Sequence, residues 1–182
     1  YFHCNYYSNR DSAGGFLPSG CCYKTNRSFL AAKEREENIA CNLNDTSWFE
    51  KIDASGGAVF FAAGVFYYFL SEQVRTLLKK MADTFPGGVI VFDAANQKAV
   101  KLMLKTWIKD AEIKDVGAYF AISDAKSEIS SWDKRLNVTS RGYMLGYNDL
   151  RDPSVSRFFR FLAKVGDGMM KMQIVRVEFK KS

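Results

Sequence analysis

The stretch GGAVFFAAGVFYYFLSEQV, residues 56–74, decides the fold class. Two glycines precede an apolar run over residues 58–70, and Ser-Glu-Gln then follows in the manner of a helix start. A strand within this run has no polar face, so we expect helices to cover both of its faces. The stretch therefore predicts a buried strand and an amphipathic helix of an α/β protein.

From residue 31 onward, short apolar runs alternate with amphipathic segments. The runs predict strands at 38–43, 58–63, 89–94, 137–145 and 169–180, and the segments predict helices at 71–85, 96–111, 127–136 and 153–165. Pro153 is expected in the first turn of the last helix, where its missing N–H costs nothing. This alternation predicts the α/β class, with a mostly parallel sheet.

Residues 1–30 lack any sustained period of 2 or 3.6. They form either a loop-rich segment or the product of a sequence error or frame change upstream of residue 31. The chain also begins without methionine, so we expect a fragment or a processed product. No basic segment followed by an apolar one marks a secretory signal at the start.

Composition limits the class of protein. The 182 residues are 47% hydrophobic, enough for one globular domain with a sizeable core. The apolar run at 58–70 is shorter than the roughly 20 residues that a membrane-spanning helix needs. The net charge of +6 permits attraction to anions, but no aromatic-basic motif of a nucleic-acid-binding module is present. We therefore expect neither a membrane protein nor a nucleic-acid-binding protein.

The cysteines and the single histidine do not predict a metal site. His3-Cys4 and Cys21-Cys22 are adjacent pairs, whereas zinc ligands usually stand two to four residues apart. The remaining cysteine, Cys41, falls in a strand that looks buried, and no disulfide pairing is required. A reduced, cytoplasmic protein without a bound metal is the expectation.

Ligands of open α/β sheets bind beyond the carboxyl ends of the strands. Three such ends lie at residues 42–45, 62–64 and 93–96. The second offers small residues that let a ligand approach the backbone. The first adds Asn42, able to hydrogen-bond an adenine edge, and Leu43, able to pack on the ring. Short polar residues after strands are also ordinary turn formers, so a binding role and a turn role both remain open.

Several other side chains carry two interpretations. Asp93 either caps the following helix, which we favour, or faces an acceptor pocket. Tyr67, Tyr68 and Tyr143 either pack in the core or line that pocket. Arg141 is either a surface charge or the partner of an acidic ligand.

Four segments carry a family resemblance by their order and spacing. They are ENIACNLNDTSWFEKI at 37–52, AVFFAAGVFYYFLSEQV at 58–74, FPGGVIVFDAAN at 85–96 and FLAKVGDGMMKMQIVRVEF at 161–179. Together they make residues 34–182 resemble the carboxyl-terminal part of the leucine carboxyl methyltransferase-like family. Its members use S-adenosylmethionine, and some act in polyketide O-methylation.

The resemblance implies a Rossmann-like class I methyltransferase sheet whose last strand, at 171–179, is antiparallel. The family's glycine-rich first turn and the acidic end of its second strand have no counterpart here, so the N-terminal strands are missing or disturbed. Residues 1–30 are then an irregular segment of uncertain origin, and residues 31–182 are the carboxyl-terminal part of a methyltransferase domain. Without its usual neighbour, the 58–63 strand is expected at an open edge of the sheet.

The resemblance also implies site residues. Asn42 and Leu43 stand at the Asp-Leu positions that flank the adenine of S-adenosylmethionine. Ala63 stands at the glutamate position near the methionine end, followed by Gly64, and Tyr68 stands at the tyrosine position. Asparagine for aspartate loses a charge, and alanine for glutamate loses a charge-assisted hydrogen bond of about 1.5–3 kcal/mol.

The resulting hypothesis is O- or carboxyl-methylation of a small molecule by a truncated or disturbed chain. Tyr68 and Arg141 are the expected acceptor-binding residues. A carboxylate acceptor needs no general base, and His3 lies outside the resemblance, so we nominate no catalytic residue. The alternative is a non-catalytic α/β module that binds a partner through the exposed edge of its sheet. Neither the acceptor nor the oligomeric state can be read from the sequence.

Overall fold

The computed structural model describes residues 2–7, 36–103, 105, 119–147 and 150–181. Its strands are β1 (Phe2–Tyr7), β2 (Glu36–Cys41), β3 (Val59–Ala62), β4 (Val89–Ala94), β5 (Leu136–Gly142) and β6 (Gln173–Phe179). Its helices are α1 (Ser71–Thr84), α2 (Gln97–Met103), α3 (Ala125–Ser130) and α4 (Arg157–Lys164). Two 3₁₀ turns, Thr46–Lys51 and Phe66–Tyr68, and one π turn, Val165–Met169, complete these elements. None of the described helices is long and apolar enough to cross a membrane.

The main sheet has four described strands in the order β3-β4-β6-β5. β3 and β4 are parallel, while β6 runs antiparallel to both of its neighbours, β4 and β5. The register places Ala94, Gln173 and Gly142 side by side, so β6 begins where β4 and β5 end. The α/β class and the antiparallel last strand are confirmed. The expectation of a mostly parallel sheet is wrong for the described strands, since only one of the three pairings, β3 with β4, is parallel. β3 is the terminal strand among those described, as expected for the 58–63 strand.

The 38–43 strand, predicted among the strands of a mostly parallel sheet, does not lie in the main sheet. β2 pairs antiparallel with β1 in a separate two-stranded sheet, with Phe2 opposite Cys41. A strand needs a backbone partner for its N–H and C=O groups, and residues 2–7 supply one. The first thirty residues thus include a strand where none was expected, and residues 8–35 lie outside the described part of the chain.

Helix α1 covers one face of the main sheet. Its buried side chains follow the predicted spacing and belong to the same apolar cluster as the inward-facing residues of β3, β4 and β6: Val74, Leu77, Leu78, Met81, Ala62, Ile90, Phe92, Val175 and Val177. The helix begins where the Gln73 side chain accepts a hydrogen bond from the Leu70 N–H at 2.7 Å. It ends just before Pro86, which cannot continue a helix.

The expectation that both faces of β3 are covered is wrong. Val59 is 63% exposed and Phe61 is 49% exposed, while Ala62 is buried. Alternate residues of a strand point to opposite faces, and the described helix α1 lies on the Ala62 side. The apolar sequence of this strand therefore does not report two covered faces.

Two helices have different bounds from those predicted. The helix expected over 127–136 is α3, which begins after Asp124 and ends at Ser130, and Leu136 already opens β5. The helix expected from Pro153 begins at Arg157, where the Ser156 hydroxyl accepts a hydrogen bond from the Phe159 N–H at 3.1 Å. Side-chain caps set both starts, because they satisfy N–H groups that have no partner within the helix.

Candidate functional site

The carboxyl ends of β3 and β4 meet in a contact between a glycine and a carboxylate. The Asp93 Oδ1 atom accepts a hydrogen bond from the Gly64 backbone N–H at 2.6 Å. The favoured interpretation of Asp93 as a helix cap is wrong, because Asn96 caps α2 by accepting from the Ala99 N–H at 3.1 Å. Asp93 instead brings a negative charge to the end of the neighbouring parallel strand.

Tyr67 also contacts the Asp93 carboxylate. Its hydroxyl hydrogen-bonds to Asp93, and its backbone carbonyl accepts from the Tyr119 and Phe120 N–H groups at 2.7 and 3.3 Å. Burial raises the pKa of the Tyr67 hydroxyl well above its ordinary value, and the Asp93 charge and the nearby Tyr143 raise that pKa further. Tyr67 therefore remains a neutral hydrogen-bond donor throughout the physiological pH range.

Gly64 leaves open space beside this contact. Its φ angle is +66°, a conformation that favours glycine, and a Cβ built there would have no other atom within 4 Å. The preceding Ala63 is exposed. A ligand can thus approach the backbone closely at the predicted methionine end of the cofactor site.

Leu43 lies in different surroundings from Gly64. It is buried and lines a cavity of about 390 Å³ beside α1, together with Asn44, Thr46, Glu72, Gln73, Thr76, Leu77 and Lys80. Asn42 is exposed, and its side chain accepts a hydrogen bond from the Asn44 N–H at 3.1 Å, as in an ordinary turn. That Leu43 and Gly64 bind the two ends of one cofactor stays a prediction, because the contacts at the two positions have no residue in common.

The predicted acceptor residues divide between the core and the surface. Tyr68 is half-buried and packs against the main apolar cluster. Arg141 is exposed at the end of β5, with its guanidinium 5.7 Å from the centre of the Tyr147 ring. Tyr143 is also exposed, in the loop after β5 and close to Tyr67.

Asp167 fixes the loop that carries Tyr143 and Tyr147. Its carboxylate accepts hydrogen bonds from the Met144 N–H at 3.0 and 3.1 Å and from the Leu145 N–H at 2.6 Å. Asp167 carries no signal in the sequence, because its bonded partners lie more than twenty residues earlier and no local spacing links them. Within the described residues, no group of three His, Cys, Asp or Glu side chains is placed to hold a metal ion.

No family model and no curated protein matches this chain. Two solved structures are similar to it in backbone. An O-methyltransferase family protein from Burkholderia thailandensis is 17% identical with a TM-score of 0.42, over 79% of this chain and 35% of its own. A DUF574 family protein from Streptomyces avermitilis MA-4680 is 8% identical with a TM-score of 0.47, over 79% of this chain and 54% of its own. The chain thus spans about a third and about half of these proteins, and so distant a likeness establishes neither family nor function.

Proposed function

We propose that this chain is the carboxyl-terminal part of an S-adenosylmethionine-dependent methyltransferase that acts on a small molecule. One observation carries the proposal. Three of the four segments that resemble the family fold with β3 and β4 parallel and β6 antiparallel, so that Gly64 and Asp93 meet at the carboxyl edge of the sheet. Ligands of open α/β sheets bind at this edge.

The residues at this edge fit the methionine end of the cofactor. S-adenosylmethionine supplies a methyl group on a positively charged sulfur and also carries an ammonium group. The Asp93 carboxylate attracts such charges, and the open space at Gly64 admits a ligand against the backbone. The apolar contact expected of the adenine ring is assigned to Leu43, which lines the cavity beside α1.

The chain's own contribution is to bind and to orient. Methyl transfer from a sulfonium releases a neutral thioether, so placing the acceptor in line supplies much of the rate enhancement. Tyr67 keeps Asp93 in position through a donor that does not ionise near pH 7. The acceptor is assigned to the end of β5 and the loop after it, where Arg141 and Tyr143 are exposed.

Calorimetric titration of the full chain with S-adenosylmethionine and with S-adenosylhomocysteine tests the proposal. We expect saturable binding of both ligands. Binding of neither at millimolar concentration would overturn the proposal and favour the non-catalytic alternative.

A pair of glycine substitutions locates the binding. Gly64 and Gly57 both have positive φ angles, +66° and +92°, and both leave open space where a Cβ would stand. Gly64→Ala and Gly57→Ala therefore impose a similar backbone strain. We expect Gly64→Ala to weaken S-adenosylmethionine binding about tenfold or more, and Gly57→Ala to leave the Kd unchanged. Equal Kd values for the two variants would remove Gly64 from the site.

A further inference from the structure

A second, polar cavity lies at the same edge of the sheet. It has a volume of about 160 Å³ and is lined by Ser123, Ser140, Arg141, Gly142, Asp167, Lys171, Met172 and Gln173. Gly142 ends β5 and Gln173 begins β6, and their register with Ala94 places this cavity one strand away from the end of β4. The volume is several times the roughly 30 Å³ that one water molecule occupies in the liquid.

Two cations, Arg141 and Lys171, line this cavity and outnumber its one carboxylate, Asp167. Within the described residues, neither Arg141 nor Lys171 forms an ion pair. The one carboxylate in the lining, Asp167, already accepts hydrogen bonds from backbone N–H groups of the loop after β5. Ser123 and Ser140 add hydroxyl donors. Guanidinium, ammonium and hydroxyl groups are the donors that carboxylates and phosphates accept from.

The backbone around these cations is firmly placed. Lys171 has a φ angle of +52°, a conformation that non-glycine residues adopt rarely and that recurs at ligand sites. Gln173 is buried, and its Nε2 group donates to three neighbouring backbone carbonyls, one of them that of Lys171. Gly142 lies so close to Asp167 that a Cβ there would overlap the carboxylate. The Lys171 backbone is therefore held by its neighbours.

We infer that this cavity binds a compact anionic group, a carboxylate or a phosphate, through Arg141 and Lys171. The methyl acceptor would then carry such a group. The assignment to the acceptor rests on the proposed function, whereas anion binding itself does not. The site would hold the acceptor by its anion on the side of β6 away from Gly64 and Asp93.

Nuclear magnetic resonance titration of the full chain tests this inference. The probes are inorganic phosphate and acetate, and sodium chloride is the control for ionic strength. We expect saturable shifts of the Gly142 and Gln173 backbone N–H signals with phosphate or acetate, and none with chloride. Tighter binding of phosphate would identify a phosphate group, and tighter binding of acetate a carboxylate. The absence of any saturable shift would overturn the inference.

Charge variants separate this site from general attraction to a basic protein. Arg141→Gln and Lys171→Gly each remove one cation, and we expect each to weaken anion binding about 10- to 100-fold. Lys171→Gly also relieves an unfavourable φ angle, so its Tm should not fall, and lost binding cannot then be ascribed to unfolding. The controls Arg157→Gln and Lys134→Gln remove the same charges from exposed positions outside the cavity lining. Equal weakening by the controls would overturn the inference.

The two proposals fail separately. Anion binding without S-adenosylmethionine binding would support this cavity and overturn the proposed function. S-adenosylmethionine binding without anion binding would support the proposed function and overturn the inferred anion site.

Discussion

Replacing Asp93 by alanine removes an acceptor that two donors share. The Gly64 N–H donates to this carboxylate at 2.6 Å, and the buried Tyr67 hydroxyl hydrogen-bonds to it as well. Hydrogen bonds to charged groups stabilise a protein by about 1.5–3 kcal/mol each. Gly64 is only half-buried, and alanine also ends the cost of holding a partly buried charge. We therefore expect Asp93→Ala to lower the free energy of unfolding by about 2–4 kcal/mol.

Urea denaturation followed by circular dichroism measures this loss. With an m value of about 2 kcal/mol/M, the midpoint should fall by about 1–2 M while m stays constant. Asp93→Asn retains one side-chain oxygen as an acceptor without the charge, so it should cost roughly half as much. The exposed Glu50, changed to alanine, serves as a control, and its effect should stay within about 0.5 kcal/mol.

Two results would refute this account of Asp93. A loss under about 0.5 kcal/mol for Asp93→Ala would mean that the two hydrogen bonds contribute nothing net. An equal loss for alanine and asparagine would mean that the retained oxygen is not used as an acceptor. A double-mutant cycle of Asp93→Asn with Tyr67→Phe should show a coupling energy of about 0.5–3 kcal/mol.

Three further predictions concern stability. Gly142→Ala should lower the free energy of unfolding by about 1–3 kcal/mol, because the new Cβ overlaps the Asp167 carboxylate. Differential scanning calorimetry would detect this loss of stability as a lower Tm. An unchanged Tm would contradict the prediction. Leu78→Ala should cost about 2–5 kcal/mol in urea denaturation, since Leu78 is fully buried in the main cluster; a loss under 1 kcal/mol would contradict that packing. Hydrogen bonds from Arg135 hold the pKa of Asp133 well below its usual range. Asp133 therefore stabilises the fold above about pH 4, the value in the unfolded chain, and this contribution is lost as the pH falls toward the lower folded value. In a pH series of melts, the stability difference between the wild type and Asp133→Asn should shrink in acid, and a constant difference would exclude the carboxylate as its source.

The local signals of the sequence were strong enough to predict α1 and β4. The spacing of Val74, Leu77, Leu78 and Met81 fits one face of a helix, and all four are buried. The run at 89–94 lies between a proline-glycine turn and a new helix, and β4 has those bounds. In both segments, the spacing of apolar residues and the positions of the flanking proline and glycine residues indicate the same element.

The wrong predictions concern which elements of the fold are neighbours. The partner of β2 is β1, and nothing periodic in residues 2–7 indicates a strand. The covered face of β3 could not be identified, because Val59 and Phe61 are as apolar as their neighbours. The orientation of Asp93 could not be predicted for the same reason. Both alternating sets of residues in β4 are mostly apolar, so alternation does not indicate which face of the sheet position 93 lies on.

The resemblance compares one position of this chain with one position of the family, and it takes no account of charges on a neighbouring strand. Ala63 lacks the carboxylate that the family places near the methionine end, which on its own would remove a bond of about 1.5–3 kcal/mol. In the folded chain, the Asp93 carboxylate reaches the next residue, Gly64, from the neighbouring strand. A positive ligand responds to the field at its site, whichever strand supplies the charge. Under the proposed function, Asp93 therefore offsets much of the change at Ala63, and the departure at Asn42, whose side chain bonds to Asn44 in a turn, becomes the costlier one.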